Sequence, residues 1–199
     1  MTENSDHKTK MKAVQAKQRE KIAELSDPDK GLVLVHTGNG KGKSSSAFGV
    51  IIRALGWGHK VGVVQFIKGD WVTGERQFFD RLGEVTWETM GEGFTWDTQD
   101  RDRDIAAAGA AFAKGRAMME SGDYDLIVMD EINIALRYDY LNVVDVIAGL
   151  EARHKRTGVI LTGRDAKPAL CDYADLVTEM TEIKHPFQNG IKAQRGVDF

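Results

Sequence analysis

Residues 32–50 read LVLVHTGNGKGKSSSAFGV: an apolar, β-branched run, a loop with glycine at 38, 40 and 42, and a stretch of helix-compatible spacing that begins at Lys43 and Ser44. A loop that cradles phosphate needs glycines for tight turns, successive backbone N–H groups aimed at anionic oxygens, a lysine for charge and a hydroxyl for a divalent cation. Thr37, Gly38, Asn39, Gly40, Lys41, Gly42, Lys43, Ser44 and Ser45 supply these in strand, loop, helix order. The strict eight-residue pattern is broken once, by Thr37 where a first glycine is expected, with Gly38 directly after it. Lys41 adds a second positive charge to the loop, or else points to solvent.

Working outward, 31–36, 61–66, 125–129, 158–162 and 175–179 read as strands, and 43–57, 74–82, 101–121 and 140–153 as helices. Near-continuous apolar strands separated by helices predict an α/β fold whose mainly parallel sheet carries helices on both faces. At the end of the third of these strands, DLIVMDE places Asp130 and Glu131 where either could reach a metal ion bridging phosphates. Acids at strand ends also serve as helix caps, but the phosphate loop favours the metal reading, with Ser44 as a third ligand. Arg164, after a strand in LTGRD, is placed to meet phosphate or to pair with Asp165 or another neighbour.

EVTWETMGEGFTWDTQDRDRD, residues 84–104, is rich in glycine and aromatic residues and reads as an irregular loop carrying Trp87, Met90, Phe94 and Trp96. Such a loop suits a large, flat, apolar ligand.

The remaining composition sets limits. At 199 residues with 42% hydrophobic and 29% charged residues, the chain is ordinary globular material, sized for a single domain and perhaps an appendage. Its net charge of −3 disfavours a dedicated nucleic-acid binder. The one cysteine, Cys171, excludes an internal disulfide and a thiolate metal cage. With no apolar run near the ~20 residues of a membrane span and no signal-like start, the cytoplasm is the expected location. Residues 7–21 depart from the acidic average: Lys8, Lys10, Lys12, Lys17, Arg19 and Lys21 against Glu20 make a local charge of +5. SDPDKG at 26–31 separates this basic arm, residues 1–30, from a domain spanning 31–199. Met11, Val14, Ile22 and Leu25 give the arm a sparse apolar stripe, so it is either a marginal helix that orders on a partner or ligand, or a frayed tail.

TGNGKGKSS, GEGFTWDTQD, MDE and the tail KHPFQNGIKAQRGVDF (184–199) together resemble the P-loop class of ATP:corrinoid adenosyltransferases, from about residue 31 to Phe199. GEGFTW and KHPF with GIKAQ are more specific than the phosphate loop, whereas TGRDAKP departs slightly from the family's usual TGRNAP. The resemblance implies a P-loop NTPase, RecA-like architecture with an N-terminal helical arm or lid. It also implies attack by a corrinoid Co(I) on the 5′ carbon of ATP with release of triphosphate. It assigns catalytic roles to Lys43, which stabilises the leaving group, and to Phe94 and Trp96, which cover the lower face of the corrinoid and leave cobalt four-coordinate before reduction. Met90 would line that pocket, and Lys184 and His185 would shape the site. Mg2+, or Mn2+ in its place, a homodimer and a flavoprotein reductant are implied as well. The competing readings are a P-loop ATPase or kinase acting by phosphoryl transfer, and a corrinoid carrier or single-strand binder without turnover.

Overall fold

The computed structural model describes residues 2–26, 28–67, 73–89 and 100–199, with side chains from residue 6 onward. After helix α1 (Thr2–Ala23) the chain alternates strands and helices: β1 (Val33–Thr37), α2 (Lys43–Gly56), β2 (Val61–Gln65), α3 (Gly74–Leu82), β3 (Val85–Thr89), α4 (Arg101–Ser121) and β4 (Leu126–Asp130). It continues through α5 (Ile132–Arg137), α6 (Val143–Ala152), β5 (Gly158–Thr162), α7 (Pro168–Tyr173) and β6 (Leu176–Glu179) to a 3-10 turn at Pro186–Asn189. The strands form one six-stranded sheet in the order β3-β2-β4-β5-β1-β6, and every pairing is parallel. One strand, β5, separates the strand before the glycine loop from the strand that ends in the acids, which is the RecA-like form of the P-loop fold.

Side-chain alternation builds a core on each face of the sheet. On β4, Ile127 and Met129 join the cluster that contains Phe112 of α4 and Leu150 of α6, while Leu126 and Val128 join Phe48 and Ile51 of α2 and Phe79 of α3. The central strands are therefore covered on both faces, as their unbroken apolar sequences require. Helix ends follow local chemistry: the side chains of Thr73, Asp100 and Asn142 accept N–H groups at the starts of α3, α4 and α6. Gly83 and Gly122 end α3 and α4 in the left-handed conformation.

Two sequence expectations are corrected. Residues 85–89, read as part of the irregular loop, form β3. Its Trp87 ring lies 5.5 Å from Phe48 and 6.0 Å from Phe79, with the Arg76 guanidinium 5.2 Å from its centroid. Trp87 is thus a packing residue of an edge strand, and the Val, Thr and Trp of that strand are residue types a pleated surface favours. The strand predicted at 175–179 exists as β6, but all four of its residues are exposed, so it edges the sheet and is not covered on both faces.

The basic arm is helical, and its described side chains are exposed, Met11, Val14 and Ile22 included. Among the described residues, no helix is long and apolar enough to cross a membrane.

Ile127 is fully buried in the middle of β4, so Ile127→Ala is expected to destabilise the fold by about 2–5 kcal/mol in urea denaturation, with little change in m-value.

Candidate functional site

Three connections converge at the C-terminal edge of the sheet, where open α/β sheets place their ligands. The first is the glycine loop. Beyond β1 the chain turns at Gly38 (φ 95°) and enters α2 from Gly42 (φ 107°). Gly40 is held against the segment after β6: its N–H donates to the Met180 carbonyl at 2.7 Å, and a Cβ there would lie 2.8 Å from that same oxygen. Alanine at either Gly38 or Gly40 would thus clash with Met180 backbone, and at Gly38 it would add left-handed strain.

Thr37, the departure from the usual glycine, has a use in this chain. Its hydroxyl accepts the N–H of Ala166 at 3.0 Å, fixing the β5–α7 connection that carries Arg164.

No side chain caps the N-terminus of α2, which leaves its first N–H groups and its positive dipole end for an anion. Lys43, 7% exposed at that terminus, donates to the Gly40 carbonyl at 2.5 Å. Burial pulls its pKa down, and the neighbouring Glu131 carboxylate partly restores it.

The second connection follows β4. Asp130 is buried, yet fully engaged: Thr162 Oγ1 donates to one carboxylate oxygen at 2.8 Å, Gln65 Nε2 to the other at 3.3 Å, and Ser44 also hydrogen-bonds to it. Burial pushes its pKa up against those three hydrogen bonds. Glu131, at φ 62°, turns the chain into α5 while its N–H donates to Thr162 Oγ1 at 2.8 Å. Burial and the adjacent Asp130 raise the Glu131 pKa to about 7, opposed by Lys43 and Arg164.

The third connection, after β5, brings in Arg164. It does not pair with Asp165, whose carboxylate instead holds Arg137 at 2.9 Å. A cavity of about 510 Å3 is lined by Ser44, Asp130, Glu131, Arg137, Arg164 and Asp198, among others. The structure therefore gathers Ser44, Asp130, Glu131 and Arg164 around one space, with Lys43 close enough to Glu131 and Arg164 to feel both charges. Arg137 and Asp198 join the site without having been singled out in the sequence: Arg137 lies between the predicted elements, and Asp198 lies in the 184–199 tail, where only Lys184 and His185 were given a role. Lys41 pairs with Asp198 at 2.5 Å. His185 caps the 3-10 turn by accepting the Phe187 N–H at 3.2 Å. Met90, Phe94 and Trp96 lie outside the described residues.

A glycine loop after β1, an uncapped helix N-terminus and a buried acid at the end of β4, with β5 between the two strands, give the chain the RecA-like P-loop architecture. Residues 29–199 match the ATP:corrinoid adenosyltransferase BtuR/CobO/CobP family. The chain is 53% identical over 194 residues to the corrinoid adenosyltransferase of Pseudomonas aeruginosa, covering 97% of this chain and 95% of that one. It is 49% identical over 201 residues to the Sinorhizobium enzyme of the same name, covering 99% and 94%. To the Salmonella typhimurium corrinoid adenosyltransferase CobA it is 45% identical over 171 residues, covering 86% and 87%. The chain belongs to the ATP:corrinoid adenosyltransferase family.

The Glu131 environment predicts a pH dependence of stability. In the folded chain Glu131 holds its proton up to about pH 7, whereas the unfolded carboxyl ionises near 4.5. Between those values the folded state binds the extra proton, so this contribution is complete below pH 4.5 and is lost as pH rises through 7. In metal-free buffer, Glu131→Gln should flatten the stability profile between pH 5 and 7.5 and gain on the order of 2 kcal/mol over the wild type at pH 8, read by chemical denaturation.

Proposed function

We propose that this protein transfers the 5′-deoxyadenosyl group of ATP to the Co(I) centre of a corrinoid and releases inorganic triphosphate, in the synthesis or salvage of adenosylcobalamin. The observation that carries the reading is family membership over 29–199 joined to an uncapped helix N-terminus beside the buried Asp130. The cobalt electron pair forms the bond to C5′, the C5′–O bond breaks, and its electrons leave on the triphosphate. No proton has to move, so no general base is required.

The demand on the protein is then electrostatic. Charge grows on the departing triphosphate, and Lys43, Lys41, the α2 amides and Arg164 are the groups proposed to stabilise it. Lys43 would exchange its Gly40 carbonyl for phosphate oxygens, an exchange helped by its buried position, where a charge interacts more strongly than in water. Thr37, Gly38, Asn39, Gly40, Gly42 and Ser45 would complete the loop's grip.

The cation site fits magnesium. Its donors are all oxygen, the Ser44 hydroxyl and Asp130 carboxylate are already hydrogen-bonded, and Glu131 is next in the chain. Mg2+ typically takes one or two protein carboxylates and completes its shell with phosphate and water. Ser44 and Asp130 would hold Mg2+, or Mn2+, with Glu131 beside it, and the ion would supply positive charge to the leaving group. Phe94 and Trp96 are proposed to keep water and axial ligands from the lower face of the corrinoid, with Met90 alongside. Aromatic rings suit that task because they exclude water and offer no strong lone pair.

Three finer readings accompany this one. A homodimer is supported by exposed apolar groups on β6 and on α1, which a second copy would cover. A flavoprotein would deliver the electron that makes Co(I). A cytoplasmic setting fits the use of ATP and a strongly reduced metal.

The test is anaerobic incubation with ATP, magnesium and chemically reduced corrinoid, followed by identification of the phosphate product. Triphosphate together with adenosylcorrinoid is expected; ADP and orthophosphate would instead support phosphoryl transfer, and binding without turnover a carrier. Lys43→Ala should lower kcat by roughly 10²–10³-fold, the usual effect of losing one oxyanion-stabilising donor. Phe94→Ala with Trp96→Ala should impair the reaction started from Co(II) more than the reaction started from pre-reduced Co(I), followed by absorbance, and equal losses would remove their proposed role.

A further inference from the structure

The chain's last described segment leads into the phosphate cavity. Asp198 pairs with Lys41 Nζ at 2.5 Å, and its side chain is only 12% exposed. Its other carboxylate oxygen accepts the Gln194 N–H at 2.7 Å, while the Asp198 N–H donates to the Gln194 carbonyl at 2.7 Å and the Gly196 N–H to the Phe199 carbonyl at 2.8 Å. These bonds close residues 194–199 into a compact turn. The turn leans on the helix that the phosphate loop introduces: Val197 and Phe199 line an apolar cavity of about 420 Å3 with Phe48 and Ile52 of α2 and Phe78 of α3. Ser45 and Phe48 border both this cavity and the polar one, so the turn and the phosphate loop share a wall.

A Lys–Asp pair whose lysine is half exposed is a weak contact in isolation. Here the apolar seat of the turn holds the carboxylate at high local concentration beside Lys41. The same carboxylate lines the cavity of Ser44, Asp130 and Glu131, so acids stand around a space whose loop is built for anions. A polyphosphate entering that space meets Asp198 as a like charge and as a rival for Lys41. Both cannot keep the ammonium without leaving two anions face to face.

We propose that Asp198 is an internal anion that occupies the Lys41 side of the phosphate cavity in the nucleotide-free protein, and that the 194–199 turn is a tethered competitor released from Lys41 when a polyphosphate binds. The proposal needs only phosphate binding at the loop, so it holds whether the group transferred is adenosyl or phosphoryl.

Hydrogen–deuterium exchange of the full chain, with inorganic tripolyphosphate and magnesium as the probe, tests it. Amides of 38–44 should slow while those of 194–199 exchange at least about threefold faster. Asp198→Asn, which keeps an acceptor for the Gln194 N–H, should bind tripolyphosphate roughly three- to tenfold tighter in calorimetry, because the competent state is no longer partly occluded. Phe199→Ala, which loosens the seat without touching the charge, should shift affinity in the same direction. Thermal melting of each variant verifies that it folds. If 194–199 slows or is unchanged under saturating probe while 38–44 slows, the turn belongs to the bound site and the proposal is overturned. Weaker binding by Asp198→Asn overturns it equally. If 38–44 is itself unprotected, the phosphate-loop reading fails along with it, a result distinct from failure of the turn alone.

Discussion

A carboxylate buried at the edge of the sheet constrains everything around it. Removing a charged group from water is costly unless it is hydrogen-bonded on all sides, and Asp130 meets that demand from three separate elements: Gln65 at the end of β2, Thr162 at the end of β5 and Ser44 in the first turn of α2. Those partners reach it only if β4 lies between β2 and β5 and if α2 begins beside the strand ends. The strand order provides the first condition and the glycine loop the second. Thr162 then closes a relay, since the hydroxyl that donates to Asp130 also accepts the Glu131 N–H and so directs the strained turn into α5. Fold and site are therefore not separable at this edge.

Much of this was legible because it was local. Valine-rich runs between helical spacings marked five of the six strands, and the glycine loop marked the start of α2, since each signal lies within a dozen residues. What escaped was decided at a distance. Residues 85–89 are too short and too close to the glycine-rich stretch to stand out as a strand, and β3 is secured by pairing with β2 and by Trp87 packing on Phe48 and Phe79. The six-residue helices α5 and α7 carry no periodicity long enough to read. Thr37 looked like a defect in a motif until the distant Ala166 N–H came to rest on its hydroxyl. Of the candidate site, the loop, the acids and Arg164 could be named from the chain alone, but Arg137 and Asp198 enter through tertiary folding: the 184–199 tail was marked as a segment, and only its fold onto Lys41 singles out Asp198.

The electrostatics of the site explain how a mildly acidic chain can serve an anion. Net charge says little when cations are collected at one edge: Lys41 and Lys43 on the loop, Arg164 after β5 and Arg137 at the end of α5 all sit near one cavity, with the end of the α2 dipole added. These cations repel one another, Arg164 and Lys41 both disfavouring the charged form of Lys43, and three of the four rest on partners. Lys43 rests on a carbonyl, Arg137 on Asp165 and Lys41 on Asp198.

Helix α2 does a second service that follows from the same geometry. Ser44 in its first turn faces the polar cavity, Ser45 and Phe48 border both cavities, and Ile52, two turns along, faces the apolar one. With 3.6 residues per turn, a single helix can present a phosphate-binding end and an apolar flank within about 10 Å of each other. That apolar flank is what seats Val197 and Phe199, so the end that meets the polar cavity and the flank that holds the C-terminal turn are parts of one helix. A rigid helix anchored by Ala47 and Ile51, both fully buried, can hold that boundary in place where a loop could not.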